Sequence, residues 1–233
     1  MLIAILMVLL LAPLLPAADL DTLLRNMDAA AAGFQGLQAN VAWVKYTAFV
    51  DIKSTEEGVI HVRRNKDRSV DMMIEFQQIR DGEKPPRPYN YFVSVRGTKA
   101  QIYRPRINEV QEYDVSKSKE ILDQVLLLGF GTAGRYLEEN YQITLKGEEQ
   151  AAGEETVKLE LVPKSKELLA KIPRLEMWVS KSTWHPVQEK LYEVNAGDYR
   201  LYTYTAIVFN PPLQESQFRL QLPRNVKKVS PQK

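Results

Sequence analysis

Most of this chain alternates between apolar and polar residues. The clearest case is Val70, Met72, Ile74 and Phe76 set against Asp71, Met73, Glu75 and Gln77. That is the mark of a half-buried strand. Strands are predicted over residues 34–52, 58–64, 69–77, 89–95, 99–103 and 108–114, and over 141–147, 155–162, 174–180, 185–194 and 199–209. A short further piece falls at 218–222. Turns such as Asn65-Lys66-Asp67-Arg68 and Arg96-Gly97-Thr98 join neighbours closely, so these eleven strands make a mainly antiparallel meander. In 34–52 both phases carry apolar residues: Val41 and Trp43 on one, Val44, Tyr46 and Val50 on the other. Such a strand suits a sheet covered on one side and facing an internal space on the other.

Two stretches break the alternation. Residues 19–33 place Leu20, Leu23, Leu24, Met27, Ala30 and Ala31 at helical spacing, with Asp19 or Asp21 to cap the start and Gly33 to end it. Residues 117–140 predict a pair of helices inserted between the two runs of strands. Ser118 caps the first, Gly129 stops it, and a second runs over 133–139. The apolar cluster around Leu127 and Phe130 is too greasy to leave in water, so the insert is expected to act as a plug or lid. A turn of helix is expected over 165–171.

Residues 1–18 carry no charged side chain and read as a secretory signal peptide, with a retained membrane anchor as the alternative. The rest, 19–233, is expected to be one domain. Lys and Arg total 31 against 29 Asp and Glu, a balance that points away from nucleic acid and other polyanions. There is no cysteine, which excludes disulfides, thiolate nucleophiles and a lipid-bearing cysteine. A soluble, monomeric protein outside the cytoplasm is expected.

Catalytic patterns are weak. Gly129-Phe-Gly131-Thr-Ala-Gly134 is a literal G-x-G-x-x-G, with Glu148 downstream, but hairpins rather than a parallel βαβ unit surround it. Glycines that break lid helices explain it better. No G-x-S-x-G elbow occurs, and His61 and His185 are the only histidines. His185 is expected at the surface. Glu56-Glu57, Glu148-Glu149 and Glu154-Glu155 are expected as solvated charge in turns. Arg63, Arg64, Lys66 and Arg68 form a modest basic cluster on the first hairpin. No enzymatic activity and no cofactor are expected.

The stretch Gly58-Val-Ile-His-Val-Arg-Arg64, the segment from Gly97 through Tyr103-Arg-Pro105 to Gln111, Leu161-Val-Pro-Lys, Leu175-Glu-Met-Trp-Val and Phe218 to Val226 occur in a recognisable order. Taken together they resemble the LolA/LolB family of periplasmic outer-membrane lipoprotein carriers, closest to the soluble LolA type. The resemblance implies an incomplete, strongly curved antiparallel β-barrel of about eleven strands under a helical lid. It implies a cavity for acyl chains, assigned here to Leu37, Val41, Trp43, Val70, Met72, Ile74, Phe76, Leu127 and Phe130. It implies that Arg64 bonds to the lid and helps hold it shut. The partners implied are an acylated lipoprotein or lipid cargo, an inner-membrane release transporter and an outer-membrane acceptor. A sensor domain of the same fold, binding a membrane-anchored regulator, is the alternative function.

Overall fold

The computed structural model describes residues 19–67, 69–116 and 131–231. The expected signal segment, the first helix of the insert, Leu127 and Phe130 lie outside the described residues. Among the described residues, twelve strands form one curved sheet that does not close into a barrel. They are β1 (Gly36–Thr47), β2 (Ile52–Arg64), β3 (Val70–Asp81), β4 (Arg87–Arg96), β5 (Lys99–Arg104), β6 (Glu109–Asp114), β7 (Tyr141–Ala151), β8 (Glu154–Pro163), β9 (Arg174–Ser180), β10 (Pro186–Tyr192), β11 (Tyr199–Phe209) and β12 (Lys227–Val229). The order across the sheet is β12-β6-β5-β4-β3-β2-β1-β11-β10-β9-β8-β7. Two meanders therefore meet where the first long strand, β1, pairs antiparallel with β11. Among the described strands only the short β12 is parallel to its neighbour, β6. This is the incomplete barrel that the LolA/LolB resemblance implies.

Register shifts interrupt five of the eleven ladders, and such bulges bend strands and increase their twist. They let a meander of long strands curl around an interior.

Two boundaries differ from expectation. Residues 34–52 are not one strand: Ala48–Val50 makes a 3-10 turn, Asp51 sits at φ 49°, and the chain reverses into β2. The Ala48 N–H donates to Asp198 Oδ1 at 2.7 Å and the Tyr46 hydroxyl to Asp51 Oδ1 at 2.9 Å, which fixes that turn. Residues 218–222 do not form a strand. A 3-10 turn at Glu215–Phe218 leads into them, and the last pairing comes later, at β12.

The helix α1 (Leu20–Ala32) buries Leu23, Leu24, Met27 and Ala31. Asp19 occupies the cap position, but its carboxylate accepts from the Thr22 hydroxyl at 3.0 Å rather than from a backbone N–H. The helix α2 (Gly134–Asn140) packs on α1 so closely that a Cβ at Gly134 would stand 2.2 Å from Leu24 O. Across that contact the Arg135 N–H donates to Asp28 Oδ1 at 3.2 Å. The one-turn helix α3 (Lys166–Leu169) is capped by Ser165, whose Oγ accepts from the Leu168 N–H.

Two apolar clusters result. One joins α1 and α2, through Leu23, Leu24, Met27 and Leu137, to Leu159, Leu161 and Met177 of the β7–β10 half. The other joins Phe34 to β1–β4 and Tyr204 of β11. The opposite face of the β2–β4 region is sealed by the C-terminal segment. Phe218 is fully buried there, with the Arg63 guanidinium 4.6 Å from its ring centre. Arg63 also donates to buried Asp71 and to Glu215, each at 2.6 Å, and Arg96 reaches the same Glu215. Asp71 and Met73, in the polar phase of β3, are thus both buried.

Candidate functional site

The alternation of β3 places one row of side chains on the inner face of the sheet, and the curvature brings the β10–β11 half over it. Between them lies a cavity of about 80 Å³. Among the described residues, its lining comprises Val41 of β1, Ile60 and Val62 of β2, Val70, Met72, Ile74 and Phe76 of β3, Glu189 and Leu191 of β10, and Tyr202 and Tyr204 of β11. Leu37 is fully buried in the adjoining cluster rather than at the cavity wall. Trp43 stands beside it, stacked on Tyr202 at 5.7 Å and tilted against Phe76 at 5.8 Å. A larger groove, of about 390 Å³, lies on the opposite face along β1–β3 and β11, where Asn40, Glu57, Gln78, Thr203 and Thr205 alternate with Val41, Ala42 and Val59. Its mixed walls offer an alkyl chain less relief from water than the apolar lining of the inner face does.

Arg64 ends the inner row of β2, following Ile60 and Val62, and pairs in register with Val70. Its Nη2 donates to Gly131 O at 2.8 Å, at the entrance to α2. Its Nη1 donates to Ala31 O at 3.2 Å and to Phe34 O at 3.5 Å, at the exit of α1. One planar fork thus joins the ends of two helices to the sheet. Phe34 lies beyond the last turn of α1 and Gly131 ahead of the first turn of α2, so their carbonyls stand outside the intrahelical ladders and can take a side-chain donor. Gly131 has φ 71°, and a Cβ on it would stand 2.5 Å from the Phe34 ring and 2.6 Å from Arg64 Nη2. Gly131 and Gly134 of the glycine motif therefore serve close packing around Arg64 and Leu24.

His185 is buried, not at the surface. Its ring stacks on Phe209 at 4.4 Å and lies 5.9 Å from Phe34. Burial, reinforced by the Arg64 charge, holds its pKa down to about 4. It is an uncharged wall of the Arg64 pocket at neutral pH. The distance in sequence between Phe34, His185 and Phe209 gave no sign of this grouping.

A family model described as "-like: Uncharacterized protein" matches residues 94–218, more than half of the chain. The chain belongs to that family. The family span includes Gly131, Glu189, Leu191, Tyr202 and Tyr204, but ends short of the β1–β3 wall and of Arg64. No curated protein matches the sequence. Among solved structures, an uncharacterized conserved protein from Thermus thermophilus is similar with a TM-score of 0.52 and 12% identity, over 90% of this chain and 98% of that one. MucB is similar with a TM-score of 0.50 and 16% identity, over 88% of this chain. The alignment spans 64% of MucB's length. These two likenesses show the fold. A LolA superfamily protein from Nitrosomonas europaea is similar with a TM-score of 0.40 and 13% identity, over 88% of this chain and 99% of that one.

The family span also holds the group that sequence reasoning missed. Glu189 is 5% exposed, its side chain lines the cavity, and Oε1 has no hydrogen-bond partner among the described residues. Burial alone raises its pKa to about 8. The signal was present in the sequence: Glu189 shares the buried phase of β10 with Leu191, while Gln188, Lys190 and Tyr192 stay partly exposed. The acidic pairs that were expected in turns lie on strands instead. Glu56 of β2 is half-buried and accepts from the Tyr91 hydroxyl; Glu149 of β7 accepts from Trp178 Nε1; Glu154 of β8 accepts from the Ser180 hydroxyl. Burial raises the Glu56 carboxyl above its usual range, with the Tyr91 bond acting against it.

Proposed function

We propose that this protein is a carrier that binds the acyl chain of a lipid or lipidated protein between the β1–β3 wall and the β10–β11 wall. The observation that carries the reading is the apolar lining of the inner face, from Val41 to Leu191 with Glu189 the exception among the described residues, under two helices tied down by Arg64. The cavity of about 80 Å³ is far below the roughly 300–1,000 Å³ of ordinary ligand sites, so the arrangement is read as a closed one. Each acyl CH₂ removed from water is worth ~0.8 kcal/mol, enough in a long chain to drive two walls apart. The carrier works outside the cytoplasm, between an inner-membrane release transporter and an outer-membrane acceptor. This route is the one that the sequence resemblance supports. No bond is made or broken in this task.

The test is lipid extraction and mass spectrometry of the purified protein. Acyl lipid should co-purify in near-stoichiometric amount. Met72→Glu or Ile74→Glu, which sets a charge in the apolar wall, should lose it while keeping a wild-type circular dichroism spectrum. A folded protein with no acyl cargo, and no uptake of added fatty acid, would refute the carrier reading.

A further inference from the structure

Among the described residues, the apolar cavity contains one acid, Glu189, whose Oε1 has no hydrogen-bond partner. Glu189 faces Tyr202 of β11 and Met177 of β9 in register, and Tyr202 in turn faces Trp43 of β1. Glu189 Oε1 and Trp43 Nε1 are buried without hydrogen-bond partners among the described residues, as is Tyr141 Oη. Leaving a buried polar group unsatisfied costs about 1–3 kcal/mol. A leucine at position 189 would fill the site without that penalty, as Leu191 does two residues along the same face. An orphaned group that lines an apolar cavity is therefore best explained by a partner that arrives with the ligand.

We propose that Glu189 is the polar anchor of the cavity, its carboxyl hydrogen-bonding the carbonyl group at the head of a bound acyl chain. The proposal rests on the carrier reading and adds the head-group chemistry to it. Burial keeps the carboxyl protonated at neutral pH, so it offers an O–H donor to an acceptor. An amine would instead require two charges to be taken out of water into an apolar wall, at a desolvation penalty that the attraction repays only with near-ideal geometry. The titratable groups that sense Glu189 are the hydroxyls of Tyr141, Tyr202 and Tyr204, all pushed above their ordinary range chiefly by burial. The shared chemistry is an acyl carbonyl, and it has two sources: the carboxyl of a free fatty acid and the ester of an acylglyceryl group.

The experiment is competitive displacement of a fluorescent fatty acid from the purified, delipidated protein by four sixteen-carbon probes: hexadecane, palmitic acid, methyl palmitate and hexadecylamine. Wild type should prefer at least one carbonyl probe over hexadecane by roughly tenfold, the scale of one hydrogen bond. Preference for the acid assigns the site to free fatty acids, and preference for the ester assigns it to acylglyceryl chains. In Glu189→Leu the carbonyl-to-hexadecane ratio should fall to about one, and Glu189→Gln, which keeps a donor, should retain most of it. The wild-type preference for the ester should fade above about pH 8 as Glu189 ionises, while that of Glu189→Gln stays flat. Equal binding of hexadecane and the carbonyl probes by wild type overturns the anchor and leaves the carrier reading standing. Tightest binding of hexadecylamine replaces the carbonyl by a cation and also overturns it. Failure of all four probes overturns the carrier reading itself.

Discussion

At the scale of single residues, Arg64 has the most to do. Charge-assisted hydrogen bonds are worth roughly 1.5–3 kcal/mol net each, a scale that biases a closed state without locking it. Arg64→Leu is expected to retain lipid through purification yet hand it to acceptor vesicles at least roughly tenfold more slowly, because closure no longer competes with bound chains. Arg64→Lys, a point charge without the fork, should recover only part of the rate. Transfer by Arg64→Leu at the wild-type rate would make Arg64 a packing residue. Gly131→Ala forces a Cβ into the Phe34 ring and the guanidinium at φ 71°, and should cost about 1–3 kcal/mol of stability in a urea melt. Two buried titrating groups act in opposite directions on stability. His185 takes its proton near pH 4 when folded and near 6.5 when unfolded. The unfolded chain binds more protons in that window, so stability falls as pH drops from 6.5 to 4. Glu189 keeps its proton up to about pH 8 when folded but only to about 4.5 when unfolded. Stability from that group is therefore lost as pH rises through 8. Urea melts across pH 4–9 should show His185→Phe flattening the acid limb and Glu189→Gln the alkaline one.

At the scale of elements, the C-terminal segment is a strap rather than another strand of the meander. Its anchor is Phe218, fully buried under Arg63, with the Ser94 hydroxyl donating to Phe218 O at 3.2 Å. Truncating a buried Phe typically costs 3–5 kcal/mol. In a domain of this size, Phe218→Ala should lower the thermal midpoint by roughly 10 °C. A shift of less than about 2 °C by calorimetry would show that the segment adds little to the fold. The helices behave differently. α1 sits on the β7–β10 half through Leu23, Leu24 and Met27, while its exit is tied to the β1–β4 half by Arg64. An element bridging two walls is placed to feel any change in their separation.

For the whole molecule, the open sheet matters most. β7 and β12 stand at its two ends and do not pair with each other, so the curl can loosen without breaking a ladder. Filling the cavity should then separate the walls and release helix ends while the long strands stay paired. Hydrogen exchange is expected to rise on lipid loading at the end of α1, at Gly131 and through α2, and to stay unchanged in β1–β3. Uniform protection on loading would mean that the closed cavity enlarges with its helices in place.

The alternation of Val70 to Phe76 and the helical spacing of Leu20 to Ala31 are local facts, because side-chain direction repeats every two residues in a strand and every 3.6 in a helix. Eleven strands in an antiparallel meander, the inward face of β3 and the short helix near 133–139 were legible for that reason. So was the candidacy of Arg64, through the ordered segments that resemble a carrier family. What the sequence by itself could not determine depends on residues far apart in the chain. The pairing of β1 with β11 joins positions more than 150 residues apart and decides which walls face each other. That pairing brings His185 and Phe209 to Phe34, carries Tyr202 and Glu189 up to the Met72 wall, and leaves Glu189 with an apolar void in front of it. The C-terminal strap buries Asp71 and Met73, whose polar phase would otherwise face water. Burial of a polar group is a property of the packed whole, since local pattern fixes which way a side chain points and only the fold decides what stands there.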